Sequence, residues 1–254
     1  MVFSSLTFLQ CFLPLCLLAY FLVPQKWRNG TLFLFSLLFY AWGEPVYVVL
    51  MLLSTALDYT CGQMVERHRG QRGAKIALLV SLCVNLGLLG VFKYSDFLID
   101  SFNGVFGTSI TNPVVLVNKA LNSLYPLGLN EKRVELPIGI SFYTFQSMSY
   151  TIDLYLRNIK VQKSFLNFAS YVSLFPQIVA GPIVRYEDVA NELESRTVNI
   201  AKISAGIGLF VKGLAKKVLL ANNIGIVWTQ IKAMDYSTIS VATAWLGIIA
   251  FAFQ

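Results

Sequence analysis

The sequence is poor in charged residues. Asp, Glu, Lys and Arg make up 13% of its 254 residues, whereas 56% of the residues are hydrophobic and the mean hydropathy is +0.63. Soluble domains typically carry about 25% charged residues, so an ordinary soluble domain is excluded. Several apolar runs approach the roughly 20 residues that a membrane-spanning helix needs. The composition therefore predicts an all-α, polytopic helical membrane protein.

The residues and motifs of several common chemistries are also missing. The chain has one histidine, His68, which lies in a basic loop and is predicted to be solvated. No Cys/His cluster, Ser/His/Asp arrangement, Walker loop or dinucleotide fingerprint occurs in the sequence. The cysteines all lie within apolar runs, so they predict neither a disulfide framework nor a metal site. They are Cys11, Cys16, Cys61 and Cys83.

The positive charge is divided among short clusters rather than gathered into one stripe. The net charge is +7, and short basic clusters at positions 26–28, 67–75 and 212–217 lie between apolar runs. This distribution argues against nucleic acid as a partner. It is typical of cytoplasmic loops, which are rich in Lys and Arg, although an anion site for a phosphate-bearing donor stays open as an alternative. Because the first two clusters both favour the cytoplasm, the N-terminus is predicted to be extracytoplasmic.

The apolar runs predict the positions of the helices. The first, Leu6–Val23, lacks a basic start and a cleavage pattern, which favours a retained helix over a signal peptide. An amphipathic helix is predicted around Val114, Val117, Leu121 and Leu124, followed later by an acidic loop at 187–194. With no internal repeat or linker, the sequence predicts a single domain, 1–254. The other predicted helices are Thr31–Trp42, Val46–Met64, Ile76–Phe92, Ile203–Ala221 and a short last run, Thr238–Gln254.

Two apolar segments, Leu136–Leu156 and 165–184, contain residues that a helix facing lipid does not need. Asp153 and Arg157 are four residues apart and can pair, either at the membrane interface or on a cavity wall. Pro176, Gly181 and Pro182 interrupt the second segment, which predicts a kinked helix or a re-entrant, site-lining break near Gln177. These features predict a polar, broken-helix interior. They leave an enzyme and a transporter both open.

Six words of the sequence resemble a known family. They are MVFSS at 1–5, FYAWGEP at 39–45, GVFKYSDF at 90–97, LPIGISFYTFQSMSYTIDLY at 136–155, FPQIVAGPIVR at 175–185 and FVKGLAKKVLLAN at 210–222. In this order they resemble the membrane-bound O-acyltransferase (MBOAT) family. The similarity is strongest to the branch that acetylates exported bacterial polysaccharides such as alginate.

The resemblance implies an acetyl or acyl transfer from a cytoplasmic donor, acetyl-CoA or another acyl thioester, to polysaccharide hydroxyls. It implies a ring of helices around a thin central wall in the cell membrane, and an extracytoplasmic partner of the SGNH-like type. On this basis Lys212, Lys216 and Lys217 are predicted to contact phosphates of the donor or of lipids. The predicted tunnel-lining residues are Gln146, Asp153, Gln177, Gly181 and Pro182.

The resemblance also implies what the chain lacks. In the family the catalytic histidine lies in a Trp-His-Gly word, which falls beyond Gln254, so no catalytic residue is assigned here. The chain is therefore predicted to match the N-terminal half of such an enzyme and to be inactive alone. The alternatives are a membrane transporter or acyl-donor channel, and a non-catalytic truncated remnant.

Overall fold

The structure is a computed structural model that describes residues 3–124, 128–178, 181, 183–235 and 239–253. Within these residues it contains helices and no strand, which confirms the all-α prediction. The chain divides into two compact units, Leu15–Arg196 and a second made of Met1–Pro14 with Thr197–Gln254. The single-domain assignment stays a prediction.

The larger unit holds most of the helices. They are α1 (Leu13–Leu22, whose first two residues belong to the smaller unit), α2 (Arg28–Gly43), α3 (Tyr47–Arg67), α4 (Arg72–Phe106), α5 (Pro113–Leu124), α6 (Ile140–Tyr155), α7 (Phe165–Ser173), α8 (Phe175–Ile178) and α9 (Tyr186–Glu194). The smaller unit holds a π-helical turn (Phe8–Phe12), α10 (Ile200–Ala215), a π-helical segment (Lys216–Ala221), α11 (Asn222–Lys232) and α12 (Val241–Phe253).

Two of the described helices, α3 and α4, are long and apolar enough to cross a membrane, while Phe8–Leu22 and Val241–Phe253 are shorter apolar helices. Large apolar side chains on the outer face of α4, such as Leu79 and Leu86, are about half exposed. The opposite face of α4 packs on α3 and α6. This division of faces is typical of a helix with lipid on one side and protein on the other.

Helix α4 extends well beyond its predicted end at Phe92. It continues through Lys93 and Tyr94 to Phe106 and stops at Gly107, whose φ of 64° is left-handed. The charges near Lys93 indicated a helix end, but they are accommodated within the helix instead. The Asp96 carboxylate accepts hydrogen bonds from Asn112 Nδ2 at 2.7 Å and from the Val134 amide at 2.9 Å. A glycine that adopts a left-handed conformation, rather than charge, therefore ends this helix.

The amphipathic helix α5 is confirmed, with its apolar side facing outward. Val117 and Leu121 are exposed, at 55% and 39%. On the other side Asn118 and Asn122 donate to the carbonyl oxygens of Asn130 and Leu129, at 3.0 and 2.7 Å. The asparagines thus anchor the loop that follows, and the apolar side is left free to meet a membrane interface.

The acidic segment 187–194 is a helix, α9, and the prediction of a loop there is wrong. Glu187 and Asp188 lie in its first turn, where negative charge stabilises the unpaired N–H groups at a helix N-terminus. In the smaller unit the helix predicted to end at Ala221 instead continues through the π-helical segment into α11. Within that unit Gly247 of α12 lies against Ile231 of α11, and the Trp228 and Phe251 rings are 5.1 Å apart.

Helix α6 is positioned by a glycine at its start. Gly139 has a left-handed φ of 76°, and a Cβ placed there would lie 2.5 Å from the Ile178 carbonyl oxygen. This close approach sets the N-terminus of α6 directly against α8. The 16 residues of α6 span about 24 Å, short of a hydrocarbon core of about 30 Å.

The variant Gly139→Ala is expected to lower the free energy of unfolding by about 2 kcal/mol. Alanine is strained at the left-handed φ of this position, and its methyl group would clash with the Ile178 carbonyl oxygen. Unfolding of the purified protein by denaturant would measure the change. Gly70→Ala is the matched control, since Gly70 has a left-handed φ of 77° but nothing lies within 4 Å of a Cβ placed there. Equal losses in the two variants would show that the α6–α8 contact is not tight.

Candidate functional site

The structure brings two of the predicted site residues, Gln146 and Gln177, into contact. Gln146 lies on α6 and is 1% exposed. Its Nε2 donates to the Tyr171 carbonyl oxygen at 2.9 Å and to Gln177 Oε1 at 3.2 Å. Gln177 is half-buried on the four-residue helix α8. A polar link therefore joins α6, α7 and α8 in an otherwise apolar region.

The break predicted in segment 165–184 is present. Helix α7 ends at Ser173, and Leu174 adopts an extended ψ of 115° before α8 begins at Phe175. The Phe175 amide donates to Ser36 Oγ at 3.2 Å, so one backbone group freed by the break is satisfied by α2. Beyond α8, a Cβ at Gly181 would lie 3.0 Å from the Gln177 carbonyl oxygen, which leaves little room for a side chain. Pro182 lies outside the described residues.

Asp153 lies two helical turns beyond Gln146, near the end of α6. Its Oδ1 accepts a hydrogen bond from Asn158 Nδ2 at 3.3 Å. The predicted pairing with Arg157 is not formed. Among the described residues, the ion pair that is present joins Arg69 to Glu66. The cause is the helix end: α6 stops at Tyr155, and Arg157 turns into a left-handed conformation with φ of 66°. The i,i+4 geometry on which the pairing depends is lost there.

Two buried tyrosine hydroxyls face this region without a hydrogen-bond partner among the described residues. They belong to Tyr143, one turn before Gln146 on the same side of α6, and to Tyr40 of α2. Both rings are at least 97% buried and belong to one core cluster. A buried hydroxyl without a partner is costly, and such groups often serve a ligand or a catalytic step. Neither tyrosine could be singled out from the sequence, because tyrosines are common in apolar helices.

A set of tyrosines fixes the backbone that follows the break. The Tyr171 hydroxyl donates to the Val184 carbonyl oxygen at 2.9 Å. Gln162 donates from its backbone amide to Tyr150 Oη at 3.0 Å and from Nε2 to Tyr186 Oη at 2.9 Å. Burial raises the pKa of Tyr186 above its ordinary value of 10.0. The network holds the start of α9 against α6 and α7, which positions the segment containing Gly181.

A second polar cluster lies between α3, α4 and α6, around the carboxylate of Asp58. Asp58 is fully buried. Ser81 Oγ donates to its Oδ1 at 2.6 Å, and Asn85 Nδ2 lies 2.8 and 2.9 Å from its two oxygens. Thr151 of α6 accepts from Ser81 at 3.4 Å. No cation lies within 4.0 Å of Asp58 among the described residues. An acidic residue inside a membrane segment is a functional-site candidate. Asp58 could have been singled out from the sequence, because it is the one carboxylate in its predicted apolar run, Val46–Met64.

The three predicted phosphate-contacting lysines are all exposed in the smaller unit. Lys212 lies in the last turn of α10, while Lys216 and Lys217 open the π-helical segment. Lys217 borders an open cavity of about 500 Å³ together with Asn222, Thr229 and Gln230. The predicted contact of these lysines with phosphates stays a prediction.

The single histidine is part of a helix end. His68 follows the last residue of α3, and its Nδ1 is 3.1 Å from the Met64 carbonyl oxygen. Within the described residues no group of three or more His, Cys, Asp or Glu side chains could hold a metal ion. The residues gathered around α6 are instead amides, hydroxyls and the carboxylates of Asp58 and Asp153, which can bind and orient polar groups by hydrogen bonds.

Comparison with known proteins supports the family resemblance. The whole chain is 36% identical over 259 residues to a probable alginate O-acetylase AlgI of Pseudomonas syringae pv. tomato, and 34% identical to the protein of that name in Pseudomonas aeruginosa. It is 26% identical over 286 residues to a peptidoglycan O-acetyltransferase of Helicobacter pylori. The chain covers 46%, 46% and 50% of these relatives.

The chain thus spans about half the length of the curated relatives it matches, as the sequence words predicted. No protein-family model matches the chain. No solved structure matches it either.

Proposed function

We propose that this chain forms half of a membrane-bound O-acetyltransferase that acetylates hydroxyls of an exported polysaccharide. The observation that carries the proposal is similarity along the whole chain to proteins named for O-acetylation of alginate and of peptidoglycan. The two named substrates are both polysaccharides or contain glycan, so an exported, hydroxyl-bearing glycan is the acceptor class we infer. Alginate itself is one candidate.

The proposed reaction is acetyl transfer from an acyl thioester such as acetyl-CoA. A hydroxyl oxygen, either of the glycan or of a relay that passes the acetyl group on to the glycan, attacks the thioester carbonyl carbon, the C–S bond breaks, and the thiolate leaves while the hydroxyl proton passes to a base. In the MBOAT family that base is a histidine in the downstream Trp-His-Gly word, worth about 10²–10⁴-fold in rate. Our proposal assigns it to the half of the enzyme that this chain does not contain. Alone, this half is proposed to be inactive.

Within this half, the polar interior of α6 and α8 is the proposed wall of the acyl route. The hydroxyls of Tyr40 and Tyr143 have no partner among the described residues, so they are free to donate to a carbonyl oxygen or to the oxyanion that develops on it. In a site closed to water, one such donor contributes about 10²–10³-fold to the rate. The contact between Gln146 and Gln177 would hold α8 in place beside them.

The proposed setting is the cell membrane, with several crossings and an extracytoplasmic N-terminus. The thioester donor would approach from the cytoplasm. An extracytoplasmic, SGNH-like partner would complete the transfer to the glycan. The short apolar helices and the two long ones, α3 and α4, are consistent with a multi-pass chain.

A transporter or donor channel is the second candidate, favoured by the broken helix α7–α8. Inside-out membrane vesicles from the producing bacterium would separate the two. Labelled acetyl thioester is added at the cytoplasmic face, and label is counted in the glycan fraction and in the free soluble pool of the lumen. We expect acetyl esters on glycan. Intact donor accumulating in the lumen without ester would overturn the proposal in favour of transport.

A further inference from the structure

A cleft at the α3–α4 turn gathers four basic side chains and opens beside the end of α6. Arg69, Arg72, Lys75 and Arg157 line it, and its volume is about 370 Å³. We call these four residues with the space between them the basic cleft. None of its lining residues is acidic.

The charges of the basic cleft are largely uncompensated. Arg69 pairs with Glu66, at 2.5 Å between Nη2 and Oε2. For Arg72, Lys75 and Arg157, no carboxylate within the described ranges lies within 4.0 Å of the charged group. All four side chains are exposed, so solvent weakens their mutual repulsion, and an anion in the space between them would relieve what remains.

The backbone at Arg157 adds an independent observation. The Asn158 amide donates to the Asp153 carbonyl oxygen at 2.9 Å and the Arg157 amide donates to the Leu154 carbonyl oxygen at 3.2 Å. These two bonds form a Schellman motif, whose left-handed position is normally glycine. Arg157 occupies it with φ of 66°, and is the one non-glycine residue with positive φ in the part of the chain that the structure describes. A strained backbone conformation at a non-glycine residue indicates a functional role for its side chain. The Arg157 side chain lines the basic cleft.

Helix α4 begins at the same place. No side chain caps its first N–H groups, because Gln71 at the N-cap makes no side-chain hydrogen bond. The positive end of the helix dipole therefore adds to the field of the four side chains.

We propose that the basic cleft binds a phosphate group. Guanidinium groups bind phosphate through two parallel hydrogen bonds, and three of them converge here: Arg69 from the α3–α4 turn, Arg72 from the start of α4 and Arg157 from the turn after α6. The volume of about 370 Å³ lies at the lower end of the range of about 300–1,000 Å³ that is usual for small-molecule pockets, and it is enough for one or two phosphate groups. The phosphate can belong to a soluble phosphorylated compound or to the headgroup of an anionic lipid. The inference concerns binding alone and does not depend on acetyl transfer.

Titration of the complete protein with two probes tests this site. Inorganic pyrophosphate is titrated by calorimetry into the protein held in nanodiscs of neutral phosphatidylcholine. Retention of phosphatidylglycerol is measured separately by native mass spectrometry, after purification from nanodiscs with three parts phosphatidylcholine to one part phosphatidylglycerol. Binding of pyrophosphate identifies a soluble source, and retention of phosphatidylglycerol identifies a lipid source.

Two variants each remove one positive charge from the basic cleft, and a control variant removes one positive charge beside it. Arg72→Gln and Arg157→Gly are expected to weaken the binding of whichever probe the wild type binds by about tenfold or more, because each removes a charge-assisted contact. Arg157→Gly also places glycine where the helix end favours it, so its thermal midpoint should not fall. Arg67→Gln is the control, since Arg67 lies in the same basic turn but does not line the cleft; its affinity should stay within about twofold of the wild type.

The proposal is overturned if the wild type binds neither probe. It is equally overturned if Arg67→Gln weakens binding as much as Arg72→Gln, since that result would show diffuse attraction by the whole basic turn.

Discussion

Replacing Asp58 by alanine is expected to lower the free energy of unfolding by about 3 kcal/mol. The carboxylate accepts hydrogen bonds from Ser81 Oγ and Asn85 Nδ2, and all three groups are buried. Removing it leaves Ser81 Oγ with only the distant Thr151 Oγ1 at 3.4 Å and Asn85 Nδ2 with only the Ser81 carbonyl oxygen at 2.9 Å, so both groups on α4 lose their charged acceptor. The loss exceeds that of one neutral hydrogen bond, because bonds to a carboxylate are the stronger kind.

Unfolding of the purified protein by denaturant measures this effect. Thr60→Ala is the matched control on the same helix, because Thr60 is exposed and bonds only the Leu57 carbonyl oxygen; its loss should stay below about 0.5 kcal/mol. A double-mutant cycle between Asp58→Ala and Ser81→Ala should show a coupling of about 1 kcal/mol or more. Additive losses, or an Asp58→Ala protein as stable as the wild type, would show that the cluster does not hold α3 to α4.

Changing Tyr143 to phenylalanine should reduce acetyl transfer by the complete protein about 100-fold while leaving its stability unchanged. The substitution removes one hydroxyl and keeps the buried ring. That hydroxyl has no hydrogen-bond partner among the described residues, so its removal breaks no bond of the fold and takes away a buried group that is not satisfied. If the Tyr143 hydroxyl donates a hydrogen bond to the reacting carbonyl oxygen, the variant lacks one donor that stabilises the transition state.

The matched control is Tyr171→Phe, in which the lost hydroxyl does have a partner. Tyr171 Oη donates to the Val184 carbonyl oxygen at 2.9 Å, so this variant should lose about 1 kcal/mol of stability. The rate of acetyl ester formation and the thermal midpoint are compared in both variants at equal protein level. A Tyr143→Phe protein that transfers acetyl groups at the wild-type rate would exclude a role for this hydroxyl in the reaction.

The sequence indicated the polar interior but not all of its members. Gln146 and Gln177 were predictable because amide side chains and helix-breaking prolines are out of place in a helix that faces lipid. Their mutual contact depends on how α8 packs against α6, which is set by the close approach at Gly139. Tyr143 could not be singled out, since only the folded structure shows that its hydroxyl lacks a partner.

Asp58 can be recognised as unusual from the sequence, but its hydrogen-bond partners cannot. A lone carboxylate in an apolar run is unusual, yet the groups that satisfy it, Ser81 and Asn85, lie 23 and 27 residues further along the chain. They meet Asp58 only because α3 and α4 pack side by side. Likewise, the predicted pairing of Asp153 with Arg157 failed because spacing alone does not show where α6 ends.

The most direct test of the proposed function is the acetyl ester content of the exported polysaccharide in the bacterium that carries this gene. The gene is deleted and then restored with its complete reading frame, and ester per sugar residue is measured by proton NMR. We predict that the ester signal is lost on deletion and recovered on restoration, with polysaccharide yield unchanged. Polysaccharide that keeps its full ester content in the deletion strain would contradict the assignment of this chain to an O-acetyltransferase.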